Sequence, residues 1–147
     1  MTETPMRTRP LNVLLIDDDD GDALAVERAF KTARIANPII RAHDGGDGLA
    51  LLREEGRRGL TSPFVILLDL NMPRMNGQEF LKELRADPEL RRLTVFMLST
   101  SRDQADIDGA YDKNVAGYII KDTAGDDFLK LVSPLEAYWR MVEVSDV

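Results

Sequence analysis

The sequence lacks cysteine altogether and has a single histidine, His43, among its 147 residues. Without cysteine, the chain can form neither a disulfide framework nor a thiolate zinc site, and it has no thiol nucleophile. One histidine excludes metal sites built from several imidazoles and argues against a Ser-His-Asp triad. The informative question is therefore where the 26 acidic residues lie in the fold.

Basic residues are also in the minority, since 19 Lys and Arg face 26 Asp and Glu, which gives a net charge of −7. Nonspecific nucleic-acid binding needs clustered positive charge, so we expect no direct contact with nucleic acid. No apolar run reaches the ~18 residues that cross a bilayer, and residues 1–10 contain no apolar stretch typical of a secretion signal. We therefore expect a cytoplasmic protein without membrane attachment.

Five short apolar runs alternate with segments of helical spacing. The apolar runs are Leu11–Ile16, Pro38–Ala42, Phe64–Leu68, Thr94–Leu98 and Gly117–Ile120. The helical segments are Asp22–Ala33, Gly45–Glu55, Asn76–Ala86, Asp103–Asp112 and Asp126–Val142. This alternation predicts an α/β fold of three layers, in which a doubly wound, five-stranded parallel sheet has helices on both faces.

Apolar side chains within these segments recur about one helical turn apart. Leu24 and Phe30 are expected on the buried stripe of the first helix, and Ile107 and Tyr111 on that of the fourth. We expect one domain over residues 11–132, a flexible leader over residues 1–10, and a helical extension or tail over residues 133–147 with no output domain.

Polar side chains follow four of the five predicted strands. They are Asp17–Asp20, Asp69, Ser99 and Lys121. The carboxyl ends of parallel strands meet at one edge of the sheet, where ligands bind. Carboxylates held close together repel unless a cation neutralises them, and oxygen ligands favour Mg²⁺. A lysine and a hydroxyl suit the oxygens of a phosphoryl group, so the sequence predicts a magnesium-assisted phosphoryl site with a carboxylate nucleophile.

Four motifs, in this order, carry a resemblance to a known family. They are VLLIDDD, LLDLNMPRMNG, MLSTS and GYIIK. Over about Leu11 to Val132 the sequence resembles the receiver domains of two-component response regulators. The resemblance implies a flavodoxin-like (βα)5 fold and a phosphoprotein of phosphorelay signal transduction. It also implies a protein that is not an enzyme and catalyses only its own phosphorylation and dephosphorylation.

The resemblance implies a phosphoacceptor and a metal site. Asp69 matches the phosphoacceptor, and Asp17 and Asp18 match the acidic pair that binds Mg²⁺ or Mn²⁺ together with Asp69. Asp18 is expected to be the more direct ligand, with Asp17 acting largely through water. The backbone carbonyl of Asn71 is expected to complete the protein ligands.

The resemblance also implies a switch beside the phosphoryl group. Ser99 matches the switch hydroxyl, Tyr118 the aromatic residue that moves with it, and Lys121 the lysine that contacts a phosphoryl oxygen. Ser101 and Asn71 occupy the positions that tune dephosphorylation in the family. Together these residues imply a conformational or assembly change on phosphorylation.

Two further positions concern the loops around this site. Gly77 matches the glycine that lets the loop after the phosphoacceptor turn. Asp122 stands where most receivers have a proline with a cis peptide bond. Since a cis bond before a residue other than proline costs ~3–4 kcal/mol, we expect a trans bond and a shifted loop after Lys121.

The segments DDDDGDALAVERAF, LSTSRDQADI and SPLEAYWRMVEV resemble single-domain regulators paired with bacterial and cyanobacterial phytochromes. That likeness implies a sensor histidine kinase of the bacteriophytochrome type as the partner. It also implies a homodimer through a surface formed by Tyr138, Trp139, Met141 and Val142. The alternative, in which Trp139 packs onto its own domain, stays open.

Two other functions compete with a phosphorylated regulator. An aspartate-nucleophile phosphatase on a similar sheet carries a second Asp two residues after the nucleophile, but here that residue is Asn71, which cannot transfer a proton. A flavodoxin-like scaffold that is never phosphorylated leaves Asp69 and Lys121 without a purpose.

Overall fold

The computed structural model describes residues 12–32, 39–53 and 64–121. Its strands are β1 (Asn12–Ile16), β2 (Ile39–Ala42), β3 (Phe64–Asp69), β4 (Val95–Ser99) and β5 (Gly117–Ile120). Its helices are α1 (Asp20–Thr32), α2 (Gly45–Leu52), α3 (Gly77–Ala86) and α4 (Gln104–Asp112). Strands and helices alternate along these ranges as the hydrophobic pattern predicted. The predicted last helix, the dimer surface and both terminal segments lie outside the described residues.

The five strands form one parallel sheet in the order β2-β1-β3-β4-β5. The order turns back at the boundary between β1 and β3, which is where open α/β sheets bind their ligands. Backbone pairing extends β3 to Asp69, opposite Leu98, and β4 to Ser99, opposite Ile120. Both polar residues are therefore the last residues of their strands, one position beyond the strand ends that the apolar pattern predicted.

Both faces of the sheet are covered, which confirms the three-layer arrangement. Successive strand residues point to opposite faces, so Leu14 and Ile16 belong to one core cluster and Val13 and Leu15 to the other. Phe80, Leu81 and Leu84 of α3 and Leu49 and Leu52 of α2 pack in the first cluster. Ala23, Val26, Ala29 and Phe30 of α1 pack in the second.

Two residues predicted on buried stripes are exposed instead. Leu24 is 44% exposed and Tyr111 is 49% exposed. The buried stripe of α1 includes Ala23 and Val26, and a residue one position further along lies about 100° around the helix. In α4 the buried position is Ala110, so the following Tyr111 points away from the core for the same reason.

Side-chain caps determine where three helices begin. Asp44 accepts a hydrogen bond from the Asp47 backbone N–H at 2.7 Å, and the Asp103 side chain accepts one from the Ala105 N–H at 3.1 Å. Asn76 and Glu79 form a reciprocal capping box at the start of α3. Within the described ranges, no helix has the length and apolarity needed to cross a bilayer.

Candidate functional site

An acidic cluster lies at the carboxyl edge of β1 and β3. Asp17 follows β1 and is completely buried, Asp69 ends β3 and is 6% exposed, and Asp18 is exposed. Each offers a carboxylate oxygen, and these oxygens lie within 4.8 Å of one another. The backbone N–H of Asp17 donates to the Ala42 carbonyl at 3.1 Å, which holds the residue in line with β2. The structure thus brings together the three acids that the sequence predicted to meet.

Lys121 reaches this cluster from the end of β5. Its backbone N–H donates to the Ser99 carbonyl at 2.6 Å, and its side chain is 5% exposed. The Nζ atom lies 3.1 Å from Asp17 Oδ2, 2.9 Å from Asp69 Oδ1 and 2.9 Å from Asp22 Oδ2. Asp22 was not predicted. Its position in the first turn of α1 was a signal, but the sequence does not say that its side chain turns toward β5.

The charges of the cluster do not balance. Burial raises the pKa of Asp69 from 3.8 to about 6, against the opposing effect of Lys121, and nearby Asp17 and Asp18 raise it further. Burial likewise raises the pKa of Asp17. Burial disfavours the Lys121 ammonium, but the carboxylates of Asp17 and Asp69 outweigh this effect and raise the pKa of Lys121. Several carboxylates share one ammonium, so a further cation would relieve their repulsion.

The donor set fits a hard divalent cation. Carboxylate and carbonyl oxygens are the ligands that Mg²⁺ and Mn²⁺ accept in proteins, and Asp17, Asp18 and Asp69 supply three carboxylates at one place. Asn71 lies two residues beyond Asp69, and its side chain is exposed. The ligand role of its carbonyl stays a prediction.

Arg41 holds the loop that carries the acidic pair. Its Nε and Nη2 donate to the Asp17 carbonyl at 3.2 and 2.9 Å, and its Nη1 lies 2.6 Å from Asp20 Oδ1. Sequence reasoning missed this residue, although a lone arginine in the apolar run of β2 was a signal. The contact requires β2 to lie beside β1, where Arg41 is opposite Leu15.

Ser99, Ser101 and Tyr118 form a connected group beside the acids. Ser99 is buried, and its Oγ accepts a hydrogen bond from the Ser101 backbone N–H at 2.9 Å. The Tyr118 hydroxyl donates to the Ser101 carbonyl at 3.0 Å. The Ser101 hydroxyl contacts Asp106 Oδ2 at 2.5 Å and so links the group to the first turn of α4. The two residues predicted to switch, Ser99 and Tyr118, are therefore linked through Ser101, although their movement stays a prediction.

Gly77 allows α3 to begin directly behind Asp69. Its N–H donates to the Leu70 carbonyl at 2.8 Å. A Cβ at this position would lie 2.7 Å from the Asp69 carbonyl oxygen and 2.9 Å from Leu70 Cα, both of them backbone atoms. Any other residue would force the backbone of Asp69 and Leu70 to shift. Asp122, predicted to shift the next loop, lies outside the described residues.

Comparisons with known proteins agree with this geometry. A family model described as the response regulator receiver domain matches residues 13–133. The response regulator Rcp1 of Synechocystis is 34% identical over 131 residues, covering 88% of this chain and 89% of Rcp1.

Solved structures of response regulators resemble this chain as well. The phosphorylated cyanobacterial phytochrome response regulator RcpA has a TM-score of 0.83 at 29% identity, covering 94% of this chain and all of that one (100%). The Mn²⁺-bound form of Rcp1 has a TM-score of 0.79 at 32% identity, covering 93% of this chain and 100% of that one. The predicted resemblance is confirmed, and the chain belongs to the response regulator receiver domain family of two-component systems.

Proposed function

We propose that this protein accepts a phosphoryl group on Asp69 from the phosphohistidine of a sensor histidine kinase. The observation that carries the proposal is the buried Asp69 carboxylate, 2.9 Å from Lys121 Nζ and beside two further acids at the carboxyl edge of the sheet. This arrangement combines a nucleophile with a fixed positive charge for the oxygens of the transferred group.

The transfer balances without an added reactant. A carboxylate oxygen of Asp69 attacks the phosphorus of the phosphohistidine, a P–O bond forms and the P–N bond breaks. The electron pair of the broken bond returns to the imidazole nitrogen. Asp69 must be ionised to attack, and a pKa of about 6 leaves it mostly ionised at neutral pH. The later hydrolysis of the acyl phosphate completes the only cycle that the protein catalyses.

We assign the carboxylates of Asp17, Asp18 and Asp69 and the backbone carbonyl of Asn71 as ligands for Mg²⁺ or Mn²⁺. The shared position of the three carboxylates and the Mn²⁺ in the Rcp1 structure support this assignment. When bound, the cation supplies positive charge to the phosphoryl oxygens. Asp17 orients the site through Lys121, which it contacts at 3.1 Å.

The signal leaves the site through Ser99 and Tyr118. Phosphorylation draws the Ser99 hydroxyl toward the phosphoryl group and breaks its hydrogen bond with the Ser101 N–H. Tyr118 follows, because its hydroxyl is bonded to the Ser101 carbonyl. The changed surface of α4 and β5 is what a partner recognises. Ser101 and Asn71 set the rate of dephosphorylation.

A kinase of the bacteriophytochrome type is the proposed phosphodonor. The similarity to Rcp1 and to the phytochrome response regulator RcpA supports it.

A homodimer through Tyr138, Trp139, Met141 and Val142 is the proposed assembly, with one receiver domain over residues 11–132, a leader before it and a helical tail after it. Because the kinase draws its phosphoryl group from ATP, the reaction is placed in the cytoplasm.

Phosphotransfer from a radiolabelled histidine kinase in the presence of Mg²⁺ tests the proposal. The wild-type protein should take up label that hydroxylamine removes, as expected for an acyl phosphate. Asp69→Asn should take up none, whereas Asp112→Asn, a change to an exposed acid on α4, should be labelled like the wild type. Label that persists in Asp69→Asn, or a wild-type protein without label from every kinase and from acetyl phosphate, would contradict the proposal.

A further inference from the structure

The Lys121 ammonium has no spare hydrogen-bond donor. A lysine ammonium carries three N–H groups. The Nζ atom of Lys121 lies within hydrogen-bonding distance of three carboxylates, those of Asp17, Asp22 and Asp69. A phosphoryl oxygen can therefore bind Lys121 only when one of these carboxylates gives up its contact.

The three carboxylates differ in how easily they can be displaced. The side chain of Asp17 is completely buried and that of Asp69 is 9% exposed, whereas that of Asp22 is 41% exposed. A buried carboxylate that loses its partner stays desolvated at high cost, but an exposed one is rehydrated by water. Asp69 also carries the phosphoryl group itself. Asp22 is thus the contact that breaks most easily.

We propose that Asp22 is a positioning residue that holds Lys121 before phosphorylation and competes with the phosphoryl group for it. The proposal rests on the function proposed above. Asp22 lies in the first turn of α1, so its release leaves the strand ends and the acidic cluster in place. The competition sets how tightly the site binds a phosphoryl group, and therefore how readily the protein becomes phosphorylated.

The proposal makes a specific prediction for the isosteric variant Asp22→Asn. A neutral amide oxygen is a weaker acceptor for an ammonium than a carboxylate, so Lys121 is released at lower cost. Because the Asp22 carboxylate is 41% exposed, water screens part of its attraction for Lys121, so affinity for a phosphoryl mimic should rise only about two- to fivefold. Asp22→Glu keeps the charge and can reach Lys121, so it should bind the mimic like the wild type.

Asp19→Asn is the matched control for charge alone. Asp19 is exposed next to the acidic pair, and its Oδ1 accepts the Asp22 backbone N–H at 2.9 Å, which an amide oxygen can also do. The variant therefore removes one negative charge from the loop just before α1 and keeps the start of that helix. Its affinity for the mimic should change by less than half as much as that of Asp22→Asn.

The experiment is a titration of each variant with beryllofluoride in saturating Mg²⁺, followed by ¹⁹F NMR, with Mn²⁺ affinity measured separately by EPR. Tighter beryllofluoride binding in Asp22→Asn, with the wild-type value in Asp22→Glu, supports the proposal. Equal gains in Asp22→Asn and Asp19→Asn, or weaker binding in Asp22→Asn, would overturn it. A wild-type protein that binds no beryllofluoride would overturn the proposed function as well. If the wild type binds it, the differences among the Asp22 and Asp19 variants test only the role of Asp22.

Discussion

Lys121 and Arg85 are cations inside the same fold, but they are held in opposite ways. Lys121 Nζ contacts the carboxylates of Asp17, Asp22 and Asp69. Arg85 instead donates to four backbone carbonyls, those of Lys113, Arg91, Leu93 and Asn114, at 2.8 to 2.9 Å. Carboxylates raise the pKa of Lys121, whereas burial lowers that of Arg85.

The difference separates a cation that exchanges partners from one that fastens the fold. Carbonyls of the backbone cannot leave, so Arg85 permanently ties α3 to the start of β4 and to the turn before β5. Carboxylates on side chains can be exchanged for the oxygens of a phosphoryl group. The partners, more than the burial of each cation, indicate which one takes part in chemistry.

Removing Lys121 should have the largest functional effect. Lys121→Met removes the ammonium group that lies 2.9 Å from Asp69 and would contact a phosphoryl oxygen, so transfer to Asp69 should slow by about 10²- to 10³-fold. Labelled phosphotransfer measures the rate, and circular dichroism checks the fold. Lys113→Met is the control, because Lys113 Nζ binds the neutral oxygens of Gln78 and Gly109. A Lys121 variant within a few fold of the wild type would remove the distinction between the two cations.

Removing Arg85 should affect stability instead. Arg85→Met leaves the backbone carbonyls just before β4 and just before β5 without their donor. This loss should lower the free energy of unfolding by about 2–4 kcal/mol. Urea denaturation measures this loss. Arg92→Met, at an exposed position in the turn before β4, should cost less than about 0.5 kcal/mol. Phosphotransfer per folded molecule should stay near the wild-type value. An Arg85 variant that is stable but slow in phosphotransfer would contradict the comparison.

A rise in pH should destabilise the acidic cluster and leave the contacts of Arg85 unchanged. The pKa of Asp69 is raised from 3.8 to about 6 in the folded, metal-free protein. Between those values the folded state binds more protons than the unfolded chain, so stability is highest at low pH and falls as pH rises through this window. The loss should be about 2 kcal/mol, and Asp17 acts in the same direction.

Denaturation of the metal-free protein at a series of pH values measures this slope. Asp69→Asn should remove most of the dependence of the free energy of unfolding on pH. Arg85→Met should lower the free energy of unfolding by the same amount at every pH. Mg²⁺ should reverse the trend, because cation binding requires the ionised carboxylates and strengthens as pH rises. A metal-free protein whose stability increases between pH ~4 and ~6 would contradict the raised pKa of Asp69.

Arg41 combines both kinds of partner and should have the smallest effect. It donates twice to the Asp17 carbonyl and once to the Asp20 carboxylate. Arg41→Met should loosen the loop that carries the acidic pair and weaken Mn²⁺ binding about three- to tenfold, about 1 kcal/mol. EPR titration measures the affinity. Arg41→Lys, which keeps the charge but not the paired donors, should recover only part of it; full recovery would show that charge alone matters.

The positions of residues at strand ends could be predicted, because the position of a strand in the sheet also determines where the next residue lies. Once an apolar run is recognised as a parallel strand, its next residue must lie at the carboxyl edge, which places Asp17, Asp69, Ser99 and Lys121 correctly. Helix faces were less predictable. Leu24 and Tyr111 were misplaced because a shift of one residue turns a helical side chain by about 100°, and short segments contain too few apolar residues to settle the phase.

The sequence by itself determined the alternation of strands and helices, the identity of the acids and lysine at the strand ends, and the family to which the chain belongs. Only the tertiary structure decided which side chains reach those groups from other elements. Asp22 meets Lys121 and Arg41 meets Asp17 across 99 and 24 residues of sequence. Such contacts depend on how α1 is rotated and how β2 is aligned with β1, and both are set by packing in the core rather than by any local pattern.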